Sequence, residues 1–100
     1  MAQPIYKYFQ GAMTEAWYQL STEEQQALLS QVEAKLAEVG GKPVVMCESS
    51  WATKPVQFWG VEVYPDIEAV QKVSQYHMEI NWFRYVNSQS LLGTEWQSPF

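Results

Sequence analysis

Cysteine and histidine are nearly absent from this chain of 100 residues, which contains one of each, Cys47 and His77. A single cysteine cannot close an intramolecular disulfide, and it cannot supply a zinc site built from several thiolates. We therefore expect neither a metal site nor a resident cofactor. Cys47 falls within an apolar stretch, where a thiol usually behaves as a small hydrophobic side chain.

Positive charge is also sparse. The chain has six Lys and Arg against eleven Asp and Glu, which gives a net charge of −5, and the six cations are scattered along the sequence. Nucleic acids and anionic membranes both bind clustered positive charge, so we expect the chain to bind neither. No glycine-rich run precedes a predicted helix, and this disfavours a nucleotide cofactor.

Long hydrophobic runs are missing as well, although 47% of the residues are hydrophobic. No apolar segment approaches the ~20 residues of a membrane-spanning helix. The first residues lack the basic and apolar regions of a signal peptide. We expect a cytoplasmic protein that forms a single domain over residues 1–100.

Large aromatic side chains are abundant instead, with five Trp, six Tyr and four Phe. A monomer of this size cannot bury so many rings completely, and Trp and Tyr are favoured in pockets and subunit interfaces. We therefore expect a homodimer with an aromatic-lined cleft. The tail over residues 94–100 contains Trp96 and Phe100, and we expect it to dock on the partner subunit.

Capping residues and hydrophobic periodicity predict the order strand, helix, strand, strand, helix, strand. Ser21 and Glu24 form a capping box at the start of the first helix, and Gly40 ends it. Asp66 is a typical N-cap for the second helix. Strands are predicted over residues 5–10, 43–49, 56–64 and 85–92. This order predicts an α+β, ferredoxin-like βαββαβ plait, a four-stranded antiparallel sheet with two helices on one face. The other face is bare, and a second copy of the chain would cover it.

The element order and three short segments resemble the dimeric α/β-barrel superfamily. Residues 58–70 resemble its third strand and second helix, residues 75–78 resemble the end of that helix, and residues 14–21 resemble a segment of the darcynin-like uncharacterised proteins. The resemblance implies a dimeric α/β barrel that binds substrates between helices and sheet. Members include cofactor-free antibiotic-biosynthesis monooxygenases, haem-degrading monooxygenases, muconolactone isomerases and chlorite dismutase-like enzymes, so membership leaves the reaction open.

His77 is the strongest candidate for chemistry, because it falls on the apolar stripe of the second predicted helix and would point into the cleft. An imidazole in that position can act as a general acid or base. The alternative is a packing residue that bonds a backbone carbonyl. Haem-degrading members pair such a histidine with an Asn on the first strand and a Trp on a middle strand. Trp59 matches the Trp, but residues 5–10 contain no Asn, which disfavours haem degradation.

The other candidates are aromatic or polar residues near the predicted cleft. Tyr6 and Tyr8 share one face of the first strand, where a phenol can donate a hydrogen bond to a ligand oxygen; the alternative is ordinary packing. Arg84 can clamp a ligand carboxylate or pair with Glu62 or Glu79. The predicted site consists of His77 and Tyr8 as catalytic residues, with Tyr6, Trp59, Asn81 and Arg84 binding the substrate.

Two functions fit these features. The first is a cofactor-independent enzyme, a monooxygenase, isomerase or cyclase, that binds a small hydrophobic or aromatic molecule and uses His77 as its acid or base. The second is a non-catalytic dimer that binds a ligand or a protein partner, with its aromatic residues in the core and interface. We favour the first of these hypotheses.

Overall fold

The computed structural model describes residues 3–52 and 54–98, and its element order confirms the expected βαββαβ succession. Two short helices are added to that succession, one after the first strand and one before the last. The elements are β1 (Ile5–Met13), α1 (Glu15–Tyr18), α2 (Thr22–Glu38), β2 (Lys42–Glu48), β3 (Phe58–Tyr64), α3 (Ile67–Glu79), a 3-10 helix (Trp82–Arg84) and β4 (Val86–Gly93).

The four strands form one sheet in the order β2-β3-β1-β4. All three neighbouring pairs are antiparallel, and β1 and β3 occupy the centre. Phe9 of β1 lies opposite Gly60 of β3 and Ser90 of β4. The structure therefore has the ferredoxin-like α+β fold that the element order predicts.

The helix boundaries follow the capping signals. The Ser21 hydroxyl accepts a hydrogen bond from the Glu24 backbone at 3.1 Å, and the Glu24 carboxylate accepts one from the Ser21 backbone at 2.9 Å. The Asp66 carboxylate caps α3 by accepting from the Ala69 backbone at 2.8 Å. Gly40 follows α2 with a φ of 82°, a conformation that glycine adopts without a Cβ clash. These local predictions are confirmed.

The predicted end of the first strand is wrong. The sequence predicts that the strand ends at residue 10, before Gly11, but β1 continues through Gly11 to Met13 and pairs there with Val86 of β4. A Cβ on Gly11 would lie 2.5 Å from the carbonyl oxygen of Asn87. The glycine therefore permits the close approach of β4 rather than a turn. The other three strands lie within two residues of their predicted bounds.

The core consists of two clusters on the helix-bearing face of the sheet. The first joins α2, β3 and α3 through Leu36, Tyr64 and Val73. The second joins α1, the 3-10 helix and β4 through Trp17, Trp82 and Val86. The opposite face of the sheet carries no helix, and β4 is exposed along almost its whole length. Within the described residues, no helix combines the length and apolar character needed to cross a membrane.

Candidate functional site

A cleft of about 710 Å³ lies between the helices and the sheet. Residues of both core clusters line it, so the cleft runs between them rather than at the edge of one. Its walls are mainly apolar, and its polar side chains come from β1, β3, β4, α3 and, through Glu33, α2. The principal apolar lining residues are Phe9, Met13, Val32, Leu36, Phe58 and Trp82.

His77 reaches this cleft from the last turn of α3. Its side chain is only 7% exposed, and its Nε2 atom is buried without a hydrogen-bond partner. Two rings of the 3-10 helix pack against the imidazole, Trp82 at 6.1 Å and Phe83 at 5.9 Å between ring centroids. A buried polar atom without a partner costs free energy. The Nε2 atom of His77 therefore does not form the hydrogen bond to a backbone carbonyl that a packing histidine would make.

The environment of His77 favours the neutral imidazole. Burial, together with the nearby Lys7 ammonium, lowers the pKa of His77 to about 4, from its ordinary value of 6.5. Both effects oppose a positive charge on the ring. At neutral pH the imidazole is uncharged, so one ring nitrogen carries a lone pair that can accept a proton or a hydrogen bond.

This shift predicts a pH-dependent stability. As the pH falls from 6.5 towards 4, His77 becomes protonated in the unfolded chain but stays unprotonated in the folded chain. The free energy of unfolding therefore decreases. Above pH 6.5 this contribution is fully present. Urea unfolding of the wild type and His77→Phe across this range isolates the effect, since the carboxylates titrate in both proteins. An NMR midpoint for His77 near 6.5 would contradict the prediction.

Lys7 and Glu62 are cleft residues that the sequence analysis did not assign to the site. They are cross-strand neighbours on β1 and β3, and both line the cleft. The Tyr64 hydroxyl donates a hydrogen bond to Glu62 Oε1 at 2.7 Å. Burial, then the charge of Glu62, raises the pKa of Tyr64 well above its usual value, so this phenol stays protonated. The sequence signal that could have placed Lys7 in the cleft was strand alternation, because Lys7 and Phe9 lie on the same face of β1.

Tyr6, Tyr8 and Trp59 lie on the sheet face opposite His77. Strand alternation separates Tyr6 and Tyr8 from the cleft residue Lys7, and the two tyrosines line a shallow groove on the helix-free face. Tyr8 packs on Trp59 at 6.2 Å, and its hydroxyl donates to Gln10 Oε1 at 2.8 Å. The expectation that Tyr8 and His77 share one pocket is therefore corrected. Trp59 is likewise not beside His77, so the geometry of the haem-degrading site is not assembled within one chain.

Asn81 and Arg84 flank the cleft without lining it. Asn81 precedes the 3-10 helix with a left-handed φ of 60°, and its side chain is exposed. Arg84 is also exposed, and its guanidinium lies 6.0 Å from the Tyr85 ring. The main chain of Arg84 accepts a hydrogen bond from the Thr14 hydroxyl at 2.6 Å. Both residues thus lie in the segment that connects α3 to β4, outside the cleft.

Cys47 pairs with Trp59 across β2 and β3 and is partly buried. Its strand position puts it on the helix-free face. Among residues 3–52 and 54–98, no group of three or more His, Cys, Asp or Glu side chains could hold a metal ion. The titratable side chains that the structure brings together around the cleft are His77, Lys7, Glu33 and Glu62.

Comparison with known proteins identifies a fold relative. The structure superimposes on that of SnoaB, a cofactor-independent oxygenase from Streptomyces nogalater, with a TM-score of 0.60 over 98% of each chain. The two sequences are 15% identical, a level at which the likeness shows the fold. No protein-family model matches the chain, and no curated protein matches its sequence. The ferredoxin-like fold expected from the resemblance is confirmed.

Proposed function

We propose that this chain is a cytoplasmic homodimer that binds a small aromatic molecule in the cleft and oxidises it with dioxygen, without a cofactor. The observation that carries the proposal is the buried, unpartnered Nε2 atom of His77 beside an apolar cleft. The shared fold with SnoaB, an oxygenase of this kind, supports it. In this reaction the substrate itself supplies the electrons, because its anion is electron-rich enough to react with dioxygen.

His77 acts as the general base in this proposal. The neutral imidazole accepts a proton from an acidic hydroxyl or an activated C–H group of the substrate. A pKa of about 4 makes the His77 imidazole a weak base. The substrate anion formed beside it offsets that weakness, since an adjacent negative charge stabilises the imidazolium. Nε2 is buried, and the Phe83 ring, which packs on the imidazole and is half-exposed, is the side chain that we propose shifts to admit the ligand.

The reaction balances without an external reductant. For an activated methylene group between aromatic rings, two C–H bonds are lost and one carbonyl forms. One oxygen atom enters the product and the other leaves as water, and the four electrons come from the methylene carbon. An apolar cleft suits this chemistry, because it excludes water from the reactive anion.

The test is incorporation of labelled oxygen. The purified protein is incubated under ¹⁸O₂ with hydroxylated naphthalenes and with anthrones, without added cofactor, and the products are analysed by mass spectrometry. We expect one labelled oxygen per product molecule and only background oxidation with heat-denatured protein. Binding of these compounds without oxygen incorporation would contradict the oxygenase and support the non-catalytic ligand-binding alternative.

The proposed dimer buries the helix-free face of the sheet. Val61, Tyr8 and Leu91 lie opposite one another across β3, β1 and β4, and all three line the groove on this face. Leu91 is 71% exposed in the single chain, and a continuous apolar row of this kind is typical of an interface. The tail beginning at residue 94 leaves beside this face, with Trp96 84% exposed. We propose that the tail docks on the partner; Phe100 lies outside the described residues.

Leu91→Asp is expected to convert the dimer to a monomer. A charge buried in the interface has no partner and must be desolvated, so the dissociation constant should rise by roughly 30-fold or more. Sedimentation analysis over a range of concentrations measures it. Met78→Asp is the matched control, because Met78 is equally exposed, at 71%, but lies on α3. A wild-type monomer at micromolar concentration, or an unaffected Leu91→Asp dimer, would refute this interface.

A further inference from the structure

Lys7 puts a cationic side chain into the cleft that His77 lines. Alternation along β1 directs Ile5, Lys7 and Phe9 to the helix-bearing face, and both Lys7 and Phe9 line the cleft. The Lys7 side chain is partly buried. A lysine packs its aliphatic stem on apolar surface and keeps its ammonium group in a polar environment, so Lys7 adds a positive charge to a mainly apolar cleft.

No carboxylate in the described part of the chain forms an ion pair with Lys7. The ion pair found among residues 3–52 and 54–98 joins Lys35 to Glu38 on α2, at 2.9 Å. Glu62 is the cross-strand neighbour of Lys7, but its Oε1 atom accepts the Tyr64 hydroxyl. Glu33 of α2 also lines the cleft, but neither Glu33 nor Glu62 forms an ion pair with Lys7. The ammonium of Lys7 is thus available to pair with the negative charge of a ligand.

The charge of Lys7 also acts on the buried imidazole. Burial is the larger cause of the lowered pKa of His77, and the Lys7 ammonium is the second. An ammonium group that has no ion-pair partner among the described residues, in a mainly apolar cleft, favours an anionic ligand over a neutral molecule of the same shape.

We infer that Lys7 determines the ligand specificity of the cleft and selects aromatic anions, in which a negatively charged oxygen is attached to a flat ring system. This inference rests on the proposed ligand site and names the class of molecule that the site takes. In the proposed reaction the Lys7 ammonium contacts the oxygen on which negative charge develops, while His77 removes the proton. The rings lie against Phe9, Phe58 and Trp82.

The experiment compares two probes of nearly identical shape, 2-naphthoate and neutral 2-naphthamide. Because the chain contains a single histidine, the imidazole resonances of His77 report binding in this cleft by NMR. Affinities are measured for the wild type, Lys7→Met, Lys7→Gln and Lys7→Arg. Lys42→Met is the matched control, since Lys42 is exposed on β2 of the same sheet and does not line the cleft.

We expect the wild type to bind 2-naphthoate about tenfold or more tightly than 2-naphthamide. Lys7→Met and Lys7→Gln should lose this preference, whereas Lys7→Arg and Lys42→Met should keep it. Equal affinity of the wild type for both probes, or a preference that survives Lys7→Gln, would overturn the role of Lys7 and leave the ligand cleft in place. If neither probe shifts the His77 resonances, both the cleft and this inference are overturned.

Discussion

Replacing His77 with phenylalanine is expected to lower kcat/KM for the proposed oxygenation by about 100- to 10,000-fold, the usual contribution of a general base. Phenylalanine preserves a ring against Trp82 and Phe83 but cannot accept a proton. Because the base must be unprotonated, wild-type kcat/KM should fall as the pH decreases through about 4, the pKa of His77 in the protein without substrate. The variant should lack this acidic limb.

Tyr76→Phe is the control for the loss of activity. Tyr76 is next to His77 in sequence, but its ring lies on the α2 side of α3, 5.3 Å from the Lys35 ammonium. Removal of its hydroxyl should leave turnover unchanged. A folded His77→Phe variant that retains activity within about threefold of the wild type would show that His77 is not the base.

Replacing Trp82 with alanine is expected to destabilise the fold by about 3–5 kcal/mol, the typical cost of removing a buried aromatic side chain. Trp82 is 9% exposed and packs edge-to-face on Trp17 at 6.2 Å, with an angle of 86° between the rings. The same substitution removes one wall of His77, so water should reach the imidazole and the pKa of His77 should rise towards its ordinary value. Urea unfolding and the NMR titration of His77 measure the two effects.

Phe83→Ala is the matched control for stability, because Phe83 belongs to the same 3-10 helix and also contacts His77 but is 52% exposed. Its loss should cost clearly less than that of Trp82, since less apolar surface leaves a buried environment. A Trp82→Ala variant destabilised by less than about 1 kcal/mol would mean that the second core cluster does not stabilise the fold as described.

The helix starts and the burial of His77 were predictable because they depend on residues close in sequence. The Ser21 and Asp66 caps involve groups three residues apart, and helical spacing alone groups His77 with Val70 and Val73. The partial burial of Lys7 and the joint cleft with Glu62 were not predictable in this way. They depend on the pairing of β1 with β3, in which Lys7 lies opposite Glu62, a residue distant in the sequence.

The sequence alone determined the element order, the capped helix ends and the division of each strand into two alternating sets of side chains. Only the tertiary structure decided which set of β1 side chains faces the helices. Lys7 and Phe9 line the cleft beneath the helices, whereas Tyr6 and Tyr8 lie on the opposite face. Both sets contain aromatic rings, so hydrophobicity does not distinguish them. The choice is made where α2 and α3 pack on the sheet, and a shift of one residue would exchange the two faces.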